Sequence, residues 1–417
     1  MNLKRVVITG IGAITPLGNT VEETWQGMLN GVSSAGKITH FDTTNFKTKI
    51  ACEVKNFDPL NYFERKEARK YDLYSQYALV AAQEAIKNSS LDLEKINLDR
   101  AGVIWASGIG GVSTFFKEIT DYAKGNGIPR FNPFFIPKMI VDIASGLISI
   151  KFGFRGPNFT TVSACASSGN SFVDAYNYIR LGKTDVFITG GSEAAINESG
   201  IGGFNAMKAI STRNDDPKTA SRPFDKDRDG FILGEGATAL ILEDLDHAVK
   251  RNANIICEVA GCGLSADAYH ITSPHPEGNG AYNSMKNAIE DANMSVNDIE
   301  HINSHGTSTY LGDISEAKAI VRLFKEHAYS ININSTKSMT GHLLGATGAT
   351  EAAATALSVY NDIIPPTINH FTDDHKIDNK LNFTFHKAVK RNINAAMSNT
   401  FGFGGHNVSI ILKKYSE

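Results

Sequence analysis

The sequence predicts an α/β fold built from two similar halves, and three observations carry that expectation. Short runs rich in Val and Ile alternate with stretches of helical periodicity along most of the 417 residues. A strand-like run passes into Gly-x-Gly twice, at 7–13 and again at 258–264. The elements after each of these recur in the same order. A helix ending near Ile86 leads to a strand over 102–107, as a helix ending near Ile289 leads to a strand around 300–303. The run 159–163 then enters a helix after Cys165, as 331–335 enters one after His342. The similarity is faint, but three matches in one order indicate a duplicated βα unit joined near residue 250. The halves are 1–250 and 251–417.

The individual elements follow from local pattern. The run Val6-Val-Ile-Thr-Gly-Ile-Gly12 comes after Lys4 and Arg5 and has the outline of a short signal peptide. Glycines break it, and Thr15-Pro16 follows where a small-residue cleavage site would stand, so it is assigned as the first strand. Thr20 with Glu23 makes a capping box ahead of a helix running to about Asn30. Leu73, Tyr77, Val80, Ala81 and Ile86 recur at helical spacing and predict a helix over 73–88. The runs 101–107 and 185–189 are expected as buried strands. The first half is the longer, through an excursion around 111–157 that contains Pro129, Pro133 and Pro137.

Composition narrows the function classes. There are 41 Lys and Arg against 44 Asp and Glu, a net charge of -3, which argues against a nucleic-acid or membrane-surface protein with its basic footprint. Charged residues make up 20% of the chain, below the usual ~25%. A large core and a buried subunit interface are expected from that deficit. No run approaches the roughly 20 apolar residues of a membrane span. Cys52, Cys165, Cys257 and Cys262 are too few and too scattered for a disulfide framework, so the chain is expected to be soluble and cytoplasmic.

Gly10-x-Gly12 after a first strand suggests a dinucleotide fingerprint, but the third glycine it needs falls on Thr15. Gly341-His-Leu-Leu-Gly345 lacks the Lys-Ser/Thr pair of a phosphate-binding loop. Cys165 is different. It stands in Thr161-Val-Ser-Ala-Cys-Ala-Ser-Ser-Gly169, between a β-prone run and a helix pattern. A thiol at a helix N-terminus is expected to have a lowered pKa, and a neighbouring backbone N–H can serve as an oxyanion donor. Against this stands a small buried hydrophobe, the assignment given to the other three cysteines. His305 follows a predicted strand in a loop of Gly and hydroxyl residues, and His342 opens an Ala-rich helix. A helix N-terminus there would keep His342 neutral and able to donate a hydrogen bond. Cys165, His305 and His342 together also form a zinc-like set, but their spacings of about 140 and 37 residues give it no local support, so no metal is expected.

The motifs resemble those of the β-ketoacyl-[acyl-carrier-protein] synthases, most closely their type II elongating members. The likeness rests on Val162-Ser-Ala-Cys-Ala-Ser167, Ser211-Thr-Arg-Asn-Asp-Asp-Pro217 and Ser221-Arg-Pro-Phe-Asp-Lys-Asp-Arg-Asp-Gly-Phe231. It continues through Asp267-Ala-Tyr-His-Ile-Thr-Ser-Pro274, His305-Gly-Thr-Ser-Thr309, Ser335-Thr-Lys-Ser-Met-Thr-Gly-His342 and Asn399-Thr-Phe-Gly-Phe-Gly-Gly405. It implies the thiolase-like fold, five layers αβαβα from two halves, and a homodimer. It implies a fatty-acid-elongating acyltransferase in which Cys165 takes an acyl group from acyl carrier protein and condenses it with decarboxylating malonyl-carrier protein. His305 and His342 would stabilise the enolate, and Lys337 would order the histidines. By the same likeness, Phe401 is the gate and supplies an oxyanion N–H with Cys165, and Thr307 and Thr309 hold the phosphopantetheine arm. Ile109 and Phe204 line the acyl tunnel. Arg65, Lys66, Arg69 and Lys70 form a basic patch for the acidic carrier. No cofactor is implied beyond the phosphopantetheine that the carrier brings.

Two positions depart from the family pattern: His406 after the glycine loop, and Tyr310 after Thr309. Both bear on arm or pocket contacts. A non-catalytic chain-length partner of the same fold typically lacks the nucleophile that Cys165 supplies. A thiolase acting on coenzyme A thioesters would need a second cysteine near the C-terminus, and none follows Cys262. Another alternative is a coenzyme A-dependent condensing enzyme; relatives that prime from acetyl-coenzyme A carry Asn in place of one of the two histidines.

Overall fold

The computed structural model describes residues 3–416. Ten strands form one sheet: β1 (Val6–Ile14), β2 (Ala101–Ala106), β3 (Asn158–Thr161), β4 (Val186–Glu193), β5 (Gly236–Asp244), β6 (Cys257–Ala266), β7 (His301–Asn303), β8 (Asn332–Asn334), β9 (Ala395–Gly402) and β10 (His406–Lys413). Their order is β8-β7-β9-β10-β6-β1-β5-β4-β2-β3. The first half contributes β1-β5-β4-β2-β3 and the second repeats it as β6-β10-β9-β7-β8. Directions repeat as well, two antiparallel pairings followed by two parallel ones in each half. The halves join where Val6, Val7 and Ile8 pair antiparallel with Val259, Glu258 and Cys257.

Six helices occupy matching places: α1 (Leu73–Ser89), α2 (Ile143–Phe152) and α3 (Ser167–Arg180), then α4 (Asn279–Asp291), α5 (Tyr310–Phe324) and α6 (Thr347–Asn361). The period-2 pattern of the strands explains how they stack. On β5, Leu240 and Leu242 face the cluster formed with α3 and α6, while Ala239 and Ile241 face α1. On β10, Ile410 and Leu412 face α3 and α6, while Ile411 faces the cluster built on α4 and α5. Strands apolar on both faces need cover on both. The result is five layers, with α1 and α2 outside one half-sheet, α3 and α6 between the halves, and α4 and α5 outside the other. Truncating Leu240 to Ala would open a cavity in the central layer at a cost of about 2–5 kcal/mol.

The repeated Gly-x-Gly has a packing role in both halves. A Cβ on Gly10 or Gly12 would stand 2.4 Å from Ala85 O or 2.1 Å from Ala81 O, on α1. On Gly261 or Gly263 it would stand 2.5 Å from Ala292 N at the end of α4, or 2.0 Å from Ser284 O on α4. These glycines let a helix backbone lie directly on a strand, which no larger residue permits.

Local expectations need small corrections. Thr20 Oγ1 accepts the Glu23 N–H at 3.2 Å, but Glu23 Oε2 accepts from Asn19 N rather than Thr20 N, so the capping box is not closed. The strand expected over 185–189 runs from Val186 to Glu193 because β5 pairs along its full length and β2 pairs with it as far as Gly191. The excursion 111–157 folds as helices Val112–Lys124, Phe135–Met139 and α2.

Candidate active site

Cys165 lies in the link between β3 and α3, two residues before the helix begins. Ala164 immediately before it has φ 50°, a left-handed conformation that costs a non-glycine residue roughly 1–2 kcal/mol. Ser167 holds the bend: its Oγ accepts from Ser163 N at 2.8 Å and donates to Ala164 O at 2.6 Å. His305 follows β7. His342 follows β8, the counterpart of β3, and its backbone is clamped between Ile232 O and Gly234 N at 2.8 and 2.9 Å.

These elements converge on a cavity of about 590 Å³. Cys165 Sγ lies 3.0 Å from His342 Nε2, and His342 Nδ1 lies 3.1 Å from Thr347 Oγ1 at the start of α6. The His305 and His342 rings stand edge to face with centroids 5.5 Å apart. The His305 ring lines the cavity, and its Nδ1 is buried with no partner among the described residues. Glu316 on α5 fixes the His305 turn by accepting the N–H groups of His305 and Gly306, each at 2.9 Å.

Lys337 is 1% exposed and pairs with the buried Glu351 of α6. Burial lowers the pKa of both histidines well below 6.5, and the Lys337 charge adds to it. Burial also pushes Glu351 and Glu316 up to about 7, with Lys337 opposing in each case. The site thus holds two neutral imidazoles beside a paired ammonium.

Two sequence expectations are reversed in origin. Cys165 does not have a lowered pKa: burial pushes it up to about 11, against the opposing pull of Lys337 and the N–H groups of Phe403 and Cys165 itself. His342 stands one residue before the N-cap of the 3-10 turn Leu344–Ala346 that runs into α6, and it is burial, with the Lys337 charge adding to it, that holds its pKa well below 6.5.

The glycine-loop N–H directed at Cys165 Sγ belongs to Phe403, not to Phe401. Phe401 is still on β9, paired with Asn407, and its ring packs 5.7 Å from His305. Thr307 and Thr309 line the cavity with their hydroxyls 2.9 Å apart, and Ile109 and Phe204 line it too. Arg65, Lys66, Arg69 and Lys70 are all exposed on or beside the short helix Arg65–Ala68. Tyr310 stands at the cavity with its ring 5.2 Å from both Arg228 and Lys376, whereas His406 is exposed across from Gly402. Cys52, Cys257 and Cys262 are free thiols, the first two buried and the third half-buried.

Sequence reasoning missed Glu316, Glu351, Thr347 and Phe403. The available signal was a lone Glu among small residues within each of two helices, since an acid there must be buried or interrupt an apolar face. Among the described residues no helix is long and apolar enough to cross a membrane.

Comparison with known proteins points the same way. Residues 3–248 match the family model "Beta-ketoacyl synthase, N-terminal domain", and residues 256–371 match "Beta-ketoacyl synthase, C-terminal domain". The chain is 47% identical over 415 residues to the 3-oxoacyl-[acyl-carrier-protein] synthase 2 of Staphylococcus aureus (strain COL), covering 99% of each. It is 45% identical over 414 residues to the protein of the same name from Coxiella burnetii, again covering 99% of each. Among solved structures it resembles a beta-ketoacyl synthase from Burkholderia phymatum at TM-score 0.92 and 32% identity, covering 99% of this chain and 100% of that one. It also resembles a ketosynthase solved in complex with its type II polyketide acyl-carrier protein, at TM-score 0.92 and 31% identity, with the same coverage.

Proposed function

The chain belongs to the β-ketoacyl synthase family, and on that premise we propose that it is a 3-oxoacyl-[acyl-carrier-protein] synthase. It elongates an acyl chain by two carbons through decarboxylative Claisen condensation. The observation that carries this assignment is the Sγ–Nε2 contact of 3.0 Å in a cavity that the His305 ring also lines. Both half-reactions then have their groups in place.

In the first, Cys165 attacks the thioester of an acyl chain on its carrier. The sulfur proton passes to His342 Nε2. Because burial disfavours imidazolium, His342 returns the proton to the departing thiol of the carrier's arm. The oxyanion is met by the N–H groups of Cys165 and Phe403. In the second half-reaction, a malonyl thioester loses CO₂ and its oxygen gathers charge. Neutral His305 and His342 donate N–H to that oxygen, and the freed carbon attacks the acyl-Cys165 carbonyl. The acyl–Sγ bond breaks, and Cys165 leaves as a thiolate that takes up one proton to restore the thiol. Thr347 suits both steps, since a hydroxyl can accept from or donate to Nδ1 and so supports either tautomer. Burial, with the Lys337 charge adding to it, keeps both rings unprotonated.

The partner is an acyl carrier protein, whose phosphopantetheine is the only prosthetic arm the reaction needs. The exposed cations Arg65, Lys66, Arg69 and Lys70 suit an acidic carrier, and Thr307 and Thr309 suit the polar arm. The working unit is a homodimer formed along β3. That strand is a sheet edge, and Val162 and Ile150 beside it are 57% and 79% exposed.

Intact-mass spectrometry after incubation with acyl-carrier proteins of several lengths tests the assignment. One acyl adduct, mapped to Cys165 and discharged by malonyl-carrier protein, is the expected result. Loading from acyl-coenzyme A alone would replace the carrier with coenzyme A, and loading from neither would overturn the catalytic role.

A further inference from the structure

Glu193 is fully buried at the end of β4 and takes no part in the chemistry above. Among the described residues no cation pairs with its carboxylate. Instead Oε1 accepts from Ser107 Oγ at 2.9 Å and Ile109 N at 3.2 Å, and Oε2 accepts from Gly108 N at 2.7 Å and Gly345 N at 2.9 Å. Ser107 Oγ in turn accepts from Gly110 N at 3.0 Å, so its one hydrogen is committed to Glu193. Four donors and no acceptor surround the group. A protonated acid would have nowhere to place its hydrogen, so the site fits the ionised form.

The donors come from two different walls of the cavity. Ile109 lines it from the loop after β2. Gly345 follows Leu344, which also lines it, and lies three residues after His342. The two walls touch at Glu193: a Cβ on Gly345 would stand 2.1 Å from Gly108 N and 2.8 Å from Glu193 Oε2. Leu344 itself is held at φ 47°, a conformation that needs its surroundings fixed.

We propose that Glu193 is a positioning residue that joins the Ile109 loop to the turn carrying Leu344 and thereby sets which acyl chain lengths the cavity accepts. Both wall residues take their position from one carboxylate, one on each of its oxygens. Glutamine at this position keeps the shape but turns one oxygen into a donor, which must repel two of the four N–H or O–H groups. The loop and the turn then separate, and the tunnel they border widens.

The inference rests on the assignment of Cys165 as acyl acceptor, and the experiment separates the two. Wild type, Glu193→Gln, Ile109→Ala and the double variant are each given an equimolar mixture of short and long acyl-carrier proteins, and the Cys165 adducts are quantified by mass. Decarboxylation of malonyl-carrier protein without an acyl donor is measured alongside. Glu193→Gln is expected to change the long-to-short loading ratio by tenfold or more, while decarboxylation changes less than threefold. Because Glu193 acts through Ile109, adding the substitution to Ile109→Ala should shift the ratio by less than threefold. A proportional fall of every rate, or an unchanged ratio, overturns the positioning role. If Glu193→Gln does not fold, Ser107→Ala removes one donor alone and should move the ratio in the same direction by a smaller factor; an unchanged ratio there overturns the role as well. Absence of any adduct on the wild-type enzyme would instead defeat the acyl-acceptor assignment.

Discussion

Replacing Thr347 by Val tests whether His342 is held in a reactive orientation or merely packed. The substitution is nearly isosteric and removes only Oγ1. That atom accepts the Leu343 N–H at 3.1 Å and meets His342 Nδ1 at 3.1 Å, with all three residues buried. Each buried polar group left without a partner costs about 1–3 kcal/mol, so with two such groups the unfolding free energy should fall by about 2–6 kcal/mol. The functional effect is separate. If the lost bond contributed about 1.5–3 kcal/mol to keeping Nε2 on the sulfur, the competent ring orientation becomes roughly 10–100 times rarer, at 1.4 kcal/mol per tenfold. Rapid-quench acylation read by intact mass should therefore slow by roughly that factor. Thr347→Ser, which keeps the hydroxyl, should restore most of the rate. Acylation within threefold of wild type, alongside the predicted loss of stability, would refute an orienting role for Thr347.

Cys165→Ala should abolish the acyl adduct and all condensation while the circular dichroism spectrum is unchanged; residual chain elongation would remove Cys165 as nucleophile. Since burial holds the free thiol near 11, iodoacetamide alkylation of Cys165 should accelerate about tenfold per pH unit through the neutral range. A plateau below pH 8 would contradict this. Both histidines have folded pKa values depressed below 6.5, so they stay neutral as pH falls through that value and protonate only further down. NMR of the ring nitrogens should show both imidazoles neutral at pH 6, and ring protonation with midpoint near 6.5 would show the rings to be solvated. Lys66→Glu with Arg69→Glu should raise KM for the carrier at least tenfold at low salt with little change in kcat. An unaffected KM would move the docking surface elsewhere.

Much of the active site could be found before folding because its groups sit in short motifs at strand ends. Cys165, His305 and His342 each follow a strand in a run of small or hydroxyl residues, and an α/β sheet delivers such positions to one edge. The duplication was legible for a related reason. Helix-on-strand contact needs glycine, so Gly10 and Gly12 have counterparts in Gly261 and Gly263 even where other side chains have diverged. Which backbone N–H meets Cys165 was not legible. Phe401 and Phe403 are two residues apart in one glycine-rich stretch, and only the point where β9 ends separates them. Nor were the carboxylates, because Glu193 finds its partners 84 to 152 residues away, Glu316 finds them 10, 11 and 83 away, and Glu351 finds its own 14 away.

The sequence by itself determined the α/β class, the repeated order of elements and the candidates for the nucleophile and both histidines. These depend on residue type and local spacing, which folding does not alter. Tertiary structure decided the protonation states. A helix-end argument gave a lowered Cys165 pKa and assigned His342 neutrality to a dipole, yet desolvation raises the thiol to about 11 and keeps the imidazoles uncharged. Burial is set by everything packed around a group, five layers deep, and no window of sequence contains it.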